Sequence, residues 1–374
     1  MKVRLGNYIE EYSKKNKADE DIPVYSVTST QGFCRDYFGK EVASKDKTTY
    51  KIVPQGCFAY NPSRINVGSV DWQRNEERVI VSPLYNVFSV SEELDQEYLY
   101  YYLKSDFALQ RIRAVATGSV RDNLKLEMLK EFPILLPPKN DQKTIANNLD
   151  RVKRIIELRK SEIDKMNELI KARFVEMFGD REYESVLLID TIKHGVGLSY
   201  GIVVPGDNVD DGVPMIRPSD FSNGILDLTN VYRVSKEIEC KYVKTRLAGD
   251  EILVQVIGQP GQVMLATDEC KGMNVTRNLA VIRPNHKMVN RLYLKQYMEK
   301  GESQQFLLKN TKQSTLKQLP LNLLKQLEVQ LPPIELQNQF ADFVTQVDKS
   351  KVAVQKALEK TQLLFDSLMQ QYFG

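Results

Sequence analysis

The chain has 374 residues and a formal net charge of +3; 42% of its residues are hydrophobic and 27% are charged. This length predicts two or three domains with ample core, and the composition is typical of an ordinary soluble protein. The mild positive charge permits nucleic-acid binding but does not demand it.

Several classes of protein and site are excluded by what the sequence lacks. It has no apolar run of about 18 residues, so we expect no membrane-spanning segment. We also expect no secretory signal, and therefore a cytoplasmic location. The four cysteines lie far apart without a Cys-x-x-Cys pair, which favours free thiols over disulfides or zinc ligands. Because only His194 and His286 are present, no His-rich metal site is predicted.

The first block, residues 1–135, is predicted to be a mixed α/β domain. Short apolar or alternating runs indicate strands, and one later segment indicates a helix that packs through its aromatic residues. The predicted strands are 24–27, 50–53, 57–60 and 78–81, and the predicted helix is 98–113.

A long helix is predicted over residues 136–179. Leu136-Pro137-Pro138 opens the segment and Phe178-Gly179 closes it. Apolar residues recur between them in alternating steps of four and three, with Arg159 and Arg173 in two of the apolar positions. Such heptads predict a coiled coil, because a repeat of 3.5 residues keeps one stripe facing a partner helix.

The second block, residues 180–330, shows the same order of elements but little sequence similarity to the first. It is predicted to be another mixed α/β domain, with its helix again near the end. The predicted strands are 213–216, 251–256, 261–265 and 279–282, and the predicted helix is 291–308.

The final segment, residues 331–374, repeats the first long helix without a gap. Leu331-Pro332-Pro333 matches Leu136-Pro137-Pro138, Gln337 matches Gln142 and Gly374 matches Gly179. Lys351 and Thr361 are the polar exceptions in its stripe. A repeat of this size predicts two similar halves, each a variable block followed by a long helix. The alternative is two unrelated surface helices packed on separate cores.

The loops of both blocks carry basic, amide and aromatic residues. Arg, Lys, Asn and Gln read base edges in the major groove, and Lys, Ser and Tyr also hold phosphates, although ordinary solvated loops have the same composition. The candidate DNA-contacting residues are Arg35, Tyr37, Lys40, Lys45, Lys47, Tyr60, Asn61, Arg64, Arg74, Ser119, Arg121 and Asn123 in the first block, and Arg217, Ser219, Gln259, Gln262, Asn274, Arg277, Lys312 and Gln313 in the second.

The chain shows no convincing enzyme signature, so we expect no catalytic residues. No Gly-x-x-x-x-Gly-Lys-Ser/Thr sequence occurs, which excludes a Walker-type ATP site. Asn61-Pro62 is better explained as a turn than as a methyltransferase motif. The segments 205–207 and 239–241 loosely resemble the metal site of restriction nucleases. Two alternatives stay open: a coiled-coil scaffold joining two peptide- or protein-binding modules, and a DNA-processing enzyme with a degenerate nuclease site.

The whole chain resembles the DNA specificity (S) subunits of type I restriction-modification systems. The resemblance rests on two variable blocks alternating with two long helices, each opened by Leu-Pro-Pro and a nearby Gln. Thr117-Gly118-Ser119 and the following residues to Gln142 resemble the family's signature at the end of a target recognition domain. The second half has a weaker version that starts at Gln313-Ser314.

The resemblance implies an α+β fold with pseudo-two-fold symmetry. In it, two mixed α/β target recognition domains (1–135 and 180–330) alternate with two spacer helices (136–179 and 331–374) that pair as an antiparallel coiled coil. Each domain would read one half of a bipartite, asymmetric site in double-stranded DNA. The helices would set the spacing and dock two methyltransferase (M) subunits, which bind S-adenosylmethionine. Restriction (R) subunits, which use ATP and Mg, can join. The S subunit itself holds no cofactor and has no catalytic centre.

Overall fold

The computed structural model describes residues 2–35, 46–116, 123–179, 181–195, 197–222, 225–311 and 316–374. The chain divides into two compact units: unit 1 comprises residues 1–161 and 355–374, and unit 2 comprises residues 162–354. Among the described residues, no helix combines the length and apolar character needed to cross a bilayer.

Unit 1 begins as a set of short strands and continues as helices. Its strands are β1 (Lys2–Arg4), β2 (Ile9–Glu11), β3 (Ser26–Thr28), β4 (Gly32–Cys34), β5 (Lys51–Pro54), β6 (Phe58–Tyr60), β7 (Val70–Trp72), β8 (Arg78–Val81), β9 (Asn86–Val90) and β10 (Pro133–Leu135). Its helices are α1 (Gln96–Lys104), α2 (Asp106–Val115), α3 (Leu126–Lys130), the first part of α4 (Lys139–Phe178) and the last part of α9 (Ile334–Phe373).

Unit 2 follows the same order. Its strands are β11 (Ser185–Leu187), β12 (Ser199–Tyr200), β13 (Val213–Ile216), β14 (Phe221–Ser222), β15 (Ile225–Leu226), β16 (Tyr232–Val234), β17 (Ile252–Gln255), β18 (Val263–Leu265), β19 (Asn274–Val275), β20 (Leu279–Ile282) and β21 (Glu328–Gln330). Its helices are the last part of α4, α5 (Lys236–Glu239), α6 (Arg291–Glu299), α7 (Gly301–Lys309), α8 (Leu321–Leu324) and the first part of α9 (Ile334–Phe373).

The two units share two features of sheet topology. Unit 1 has a four-stranded antiparallel sheet in the order β2-β9-β6-β7, and unit 2 has one in the order β12-β20-β17-β18. In each unit, the first strand pairs with the last strand before the long helix, β1 with β10 and β11 with β21. Unit 2 adds a three-stranded sheet, β16-β13-β19, that contains the parallel pair β13 and β19.

Each predicted block helix is in fact two helices. The chain becomes extended at Ser105 (φ −70°, ψ 152°) between α1 and α2, and at Lys300 (φ −67°, ψ 155°) between α6 and α7. Ser105 Oγ accepts a hydrogen bond from the Ala108 amide at 3.3 Å, so Ser105 caps the second helix. The prediction of one continuous helix was therefore wrong in both blocks.

The internal repeat extends further towards the N-terminus than the sequence indicated. Asp95 caps α1 and Asn290 caps α6. The Tyr98 hydroxyl donates to Leu135 O at 3.0 Å, and the equivalent Tyr293 hydroxyl donates to Gln330 O at 2.9 Å. These pairs keep the spacing that relates Leu136 to Leu331. The blocks therefore share their helical second part, and their sequences diverge mainly in the strands and loops.

The long helices begin and end where the repeat predicts. α4 starts directly after Pro138, and α9 starts directly after Pro333. Proline is accepted at the start of a helix but disrupts a helix that precedes it, so the Pro-Pro pairs mark the starts. At the C-terminal ends, a Cβ on Gly179 would lie 2.6 Å from Val175 O, and one on Gly374 would lie 2.4 Å from Gln370 O. Only glycine fits at either end.

The helix ends complete the main core of each unit. In unit 1, Phe373 of α9 packs on Tyr98 with ring centroids 5.1 Å apart, in the same core as Ala146 and Leu149 of α4. In unit 2, Phe178 of α4 packs on Tyr293 at 4.9 Å. Each domain core thus requires the last turn of one long helix and the first turns of the other.

Polar residues in the apolar stripes contact one another. In unit 1, Arg159 of α4 donates to Ala357 O and Thr361 Oγ1 of α9. In unit 2, Lys351 Nζ of α9 donates to Asn167 Oδ1 of α4 at 2.9 Å. Three of the four predicted exceptions, Arg159, Lys351 and Thr361, are therefore partnered across the two long helices inside the units.

Phe340 should contribute strongly to stability. It is fully buried and packs against Phe174 at 5.4 Å and Phe178 at 5.8 Å. We expect Phe340→Ala to lower the free energy of unfolding by about 3–5 kcal/mol, measured by urea denaturation. On the same helix, Val352 is 53% exposed, so Val352→Ala should change it by less than about 0.5 kcal/mol. Equal effects of the two substitutions would contradict this account of the core.

Candidate nucleic-acid interface

A tight turn after β6 presents Arg64 at the surface of unit 1. Asn61 Oδ1 accepts from the Ser63 amide at 3.1 Å, and the Arg64 amide donates to Asn61 O at 3.0 Å. The side chain of Arg64 is exposed. Asn61 therefore shapes the turn, as the Asn-Pro pair predicted, and Arg64 is the residue that the turn offers to a partner.

Two more side chains join this turn from other parts of unit 1. Asn123 Oδ1 accepts a hydrogen bond from Ser63 Oγ at 2.7 Å, and Arg113 Nε donates to Asn66 O at 3.3 Å. Asn123 and Arg113 are both exposed. Arg64, Arg113 and Asn123 thus form one polar surface, which we call the Arg64 surface. Arg113 was missed by the sequence analysis, because a basic residue on a helix gives no signal of the turn it will approach.

Arg35 and Lys47 lie elsewhere on unit 1. Arg35 follows β4, is exposed and holds its guanidinium 5.5 Å from the centre of the Tyr25 ring. Lys47 is half-buried, and its carbonyl accepts from the Tyr50 amide at 3.1 Å. The side chains of both residues are therefore at least partly accessible to solvent.

Tyr60 belongs to the core, which corrects its prediction as a surface contact. It is 0% exposed, donates from its hydroxyl to Leu124 O at 3.0 Å and accepts from Asn86 Nδ2 at 2.9 Å. Burial raises the pKa of this hydroxyl. Tyr60 was predicted as a loop residue, but it is the last residue of β6, in which all three residues are buried.

Arg74 has carboxylate partners within unit 1. It pairs with Asp71 at 2.7 Å and with Glu97 at 3.1 Å, and it stacks on the Trp72 ring at 4.5 Å. The Tyr100 ring lies 5.2 Å from Arg74, 5.5 Å from Lys104 and 5.4 Å from Lys153. Burial lowers the pKa of Lys104 to about 8. This group joins β7, α1 and α4, which gives Arg74 a structural role.

In unit 2, the turn between β17 and β18 carries two exposed amides, Gln259 and Gln262. Gly258 and Gly261 adopt φ angles of 93° and 97° there, a region that disfavours other residues. The Gly261 amide donates to Gln255 O at 2.9 Å, and the Gln255 amide donates to Gln262 O at 2.8 Å. The turn is thus held by its backbone, and the two amide side chains point away from the core.

Arg277 is the exposed cation on the loop between β19 and β20. Its amide donates to Ile202 O at 2.9 Å, and the Thr276 amide donates to Ile216 O at 3.0 Å. The backbone of this loop is anchored on both sides while the guanidinium faces solvent. Ser219 is also exposed, in the short helical turn after β13.

Arg217 and Asn274 are tied into unit 2. Arg217 Nη2 pairs with Asp220 at 2.7 Å and donates to Asn230 O at 3.1 Å. Asn274 is 0% exposed, donates to Tyr242 O at 3.0 Å and accepts from Thr245 Oγ1 at 2.7 Å. The prediction of Asn274 as a surface contact is corrected, because all of its hydrogen-bonding atoms face protein.

The resemblance to a nuclease site finds no support in the surroundings of Glu239. Its side chain is 3% exposed, accepts from Arg246 Nε at 2.8 Å and accepts from Asn274 Nδ2 at 3.2 Å. The hydrogen bond from Arg246 holds the pKa of Glu239 below its usual range. Within the described ranges, no group of three or more His, Cys, Asp and Glu residues is placed to hold a metal ion. Glu239 is a buried structural carboxylate.

The remaining predicted contacts lie outside the described residues. They are Tyr37, Lys40, Lys45, Ser119, Arg121, Lys312 and Gln313.

The family model for the type I restriction modification DNA specificity domain matches this chain twice, over residues 5–168 and 206–363. The chain belongs to this family. The family predicted from the repeat and the Leu-Pro-Pro signature is thereby confirmed.

Individual relatives agree with this assignment. The chain is 24% identical over 373 residues to the type I restriction enzyme EcoBI specificity subunit of Escherichia coli, a match that covers 89% of this chain and 78% of the relative. A chain in a solved structure of a type I R-M system matches at 17% identity with a TM-score of 0.57, covering 100% of this chain and 97% of that one. The S subunit of the M. genitalium type I restriction-modification system matches at 16% identity and TM-score 0.57, covering 100% and 96%. The two solved structures show that the fold is shared.

Replacing Arg74 or Arg64 of unit 1 with alanine should have different effects on the free energy of unfolding. Arg74→Ala removes the cation from Asp71 and Glu97, whose side chains are 8% and 21% exposed. We expect it to lower the free energy of unfolding by about 1–3 kcal/mol in chemical denaturation. Arg64→Ala should change this energy by less than about 0.5 kcal/mol. The distinction between structural and surface arginines is lost if Arg64→Ala proves the more destabilising.

Proposed function

We propose that this chain is the DNA specificity subunit of a type I restriction-modification system, and that each unit reads one half of a bipartite, asymmetric DNA site. The observation that carries the proposal is the double match to the specificity domain, together with a four-stranded antiparallel sheet of equivalent strand order in both units. The units differ where side chains are exposed: unit 1 presents Arg64 and Asn123, and unit 2 presents Arg277, Gln259 and Gln262. Two units with a similar sheet and helix arrangement but different exposed polar residues are suited to bind two different half-sites.

The target recognition domains in this proposal are residues 1–135 and 180–330. The long segments 136–179 and 331–374 form the spacer as an antiparallel coiled coil with pseudo-two-fold symmetry. Support comes from each unit by itself. In unit 1, Leu149 of α4 shares a core with Phe373 of α9, and Arg159 lies beside Thr361. In unit 2, Phe174 lies beside Phe340 and Asn167 beside Lys351. In unit 1, early and middle residues of α4 meet late residues of α9, whereas in unit 2 late residues of α4 meet early residues of α9, as expected for an antiparallel pair.

The described DNA contacts that we propose are the exposed predicted residues, the half-buried Lys47 and Arg113. These are Arg35, Lys47, Arg64, Arg113 and Asn123 in unit 1, and Ser219, Gln259, Gln262 and Arg277 in unit 2. Exposed cations hold phosphates or read guanine, whereas exposed amides pair with adenine.

The chemistry of the system belongs to partner chains in this proposal. Two M subunits dock on the long helices, bind S-adenosylmethionine and methylate adenine in cytoplasmic DNA. R subunits, which use ATP and Mg, join for cleavage. The specificity chain holds no cofactor and acts by binding the DNA site so that the M subunits can reach the adenines that they methylate. Metal-dependent cleavage of DNA by this chain alone would refute the non-catalytic role. Binding of peptides without salt-dependent DNA binding would favour a scaffold instead.

Exchange of one domain tests independent reading of the half-sites. We expect that replacing residues 1–135 with the equivalent block of a relative changes one half of the methylated motif and leaves the other intact. The measurement is sequencing of methylated adenines after co-expression with the M subunits. The reciprocal exchange of residues 180–330 serves as the control and should change the opposite half. A change in both halves after a single exchange would be inconsistent with separate readers.

Arg277 tests the predicted surface of unit 2. If Arg277 holds a phosphate, Arg277→Ala should weaken binding to all duplexes and reduce the slope of log affinity against log salt by about one unit. If it reads a base, the substitution should cost roughly 1–3 kcal/mol and relax the choice at one base pair. The charge-matched control is Lys356→Ala, an exposed cation on α9, which should change neither quantity. Equal losses in the two variants would show that only net charge matters.

A further inference from the structure

A glutamine in the first turn of each long helix is completely buried. Gln142 of α4 and Gln337 of α9 are both 0% exposed. Each is separated by three residues from the Pro-Pro pair that precedes its helix. Burying a primary amide lowers the stability of the folded state unless its donors and acceptor are hydrogen-bonded. The presence of a buried glutamine at both positions therefore needs an explanation.

The two amides make the same three hydrogen bonds. Gln142 Oε1 accepts from the Asp95 amide at 2.8 Å, and its Nε2 donates to Glu93 O at 3.0 Å and Pro137 O at 2.8 Å.

In unit 2, Gln337 Oε1 accepts from the Asn290 amide at 2.8 Å, and its Nε2 donates to Met288 O at 3.2 Å and Pro332 O at 2.8 Å. Every partner is a backbone group, so the arrangement does not depend on which side chains the variable blocks carry.

The three partners of each glutamine belong to two segments of the domain, since Glu93 and Met288 lie two residues before Asp95 and Asn290. Asp95 and Asn290 are the residues that cap α1 and α6. Pro137 and Pro332 lie in the joints between the last strand of each block and the long helix. Each glutamine therefore ties the start of the domain helix, the end of the domain and the start of the long helix to one another.

We propose that Gln142 and Gln337 are positioning residues that hold each recognition domain at a fixed angle to its long helix, and that this angle sets the length of the unread gap between half-sites. The inference rests on the proposed function. A helix of 40 residues is about 60 Å long, so a rotation of roughly 3° at its first turn displaces its far end by about one base-pair step of 3.4 Å. Even slight loosening of the joint would therefore be visible in the spacing of the site.

The test uses the full chain with Gln142→Met and, separately, Gln337→Met. Methionine has a similar length but lacks the amide donors and carbonyl acceptor. Each variant is co-expressed with the M subunits, and methylated adenines are mapped on a plasmid library in which the gap between fixed half-sites varies by single base pairs.

We expect preference for the native gap over gaps one base pair longer or shorter to fall by about tenfold in each variant, because the lost hydrogen bonds no longer hold one domain angle against neighbouring ones. The half-site sequences should stay unchanged.

Matched controls separate positioning from stability. Val53 of unit 1 and Val234 of unit 2 are 0% exposed and belong to small cores apart from the glutamines. Val53→Ala and Val234→Ala should lower the melting temperature while keeping the native gap preference. If a methionine variant fails to fold, Gln142→Asn replaces it. This variant keeps an amide on a shorter side chain, so it should weaken the hydrogen bonds without burying a charge and should show an intermediate loss of gap preference.

Three outcomes would overturn the inference. The first is a folded glutamine variant that keeps the wild-type gap preference. The second is a control that loses gap preference as much as a glutamine variant of equal melting temperature. The third is relaxation of the half-site sequences together with the gap, since the glutamines would then act on the reading surfaces. If the wild-type complex methylated DNA without a fixed gap between half-sites, both the proposed function and this inference would be refuted.

Discussion

The need to cover the apolar stripes of two 40-residue helices organises the rest of this structure. A helix of that length with one apolar face cannot leave the face in water. In unit 1, the stripe is covered by the aromatic residues of α1 and by the other long helix, with Phe373 seated on Tyr98. In unit 2, the apolar stripe is covered in the same way, and Phe178 packs on Tyr293. Because the end of each long helix lies in a domain core, folding of the domains and burial of the helices stabilise each other.

The same constraint explains which parts of the chain are free to differ. From Asp95 and Asn290 onwards, every residue that touches a long helix must fit a shared geometry, and the two halves match there in caps, tyrosines and glutamines. The strands and loops before those points match less closely between the two halves. They diverge in length and in exposed residues, as surfaces that bind different sequences must. Reading surfaces can then change while the frame stays intact.

The sequence predicted the elements with strong local signals and missed those set by tertiary packing. The long helices were predictable within a few residues, because a 3.5-residue period over 40 positions has no competing explanation and prolines mark the starts. The breaks at Ser105 and Lys300 were missed because neither residue is a proline or a glycine. Tyr60 and Asn274 looked like surface residues, since polar atoms in loops and strand ends usually are. Their burial follows from partners distant in sequence, Leu124 and Tyr242, which no local pattern reveals.

Polar residues inside the stripes show that the two long helices are not interchangeable. Arg159 donates to the Thr361 hydroxyl, and Lys351 donates to Asn167. The repeat places Met166 at the position equivalent to Thr361 and Ile156 at the position equivalent to Lys351. If α4 paired with a copy of itself in the same register, Arg159 would face Met166, whose thioether is a poor acceptor, and Asn167 would face Ile156. Unpaired polar groups at such positions disfavour the wrong partner more than they stabilise the right one. The polar pairs therefore favour pairing of unlike helices, which keeps two different domains on one frame.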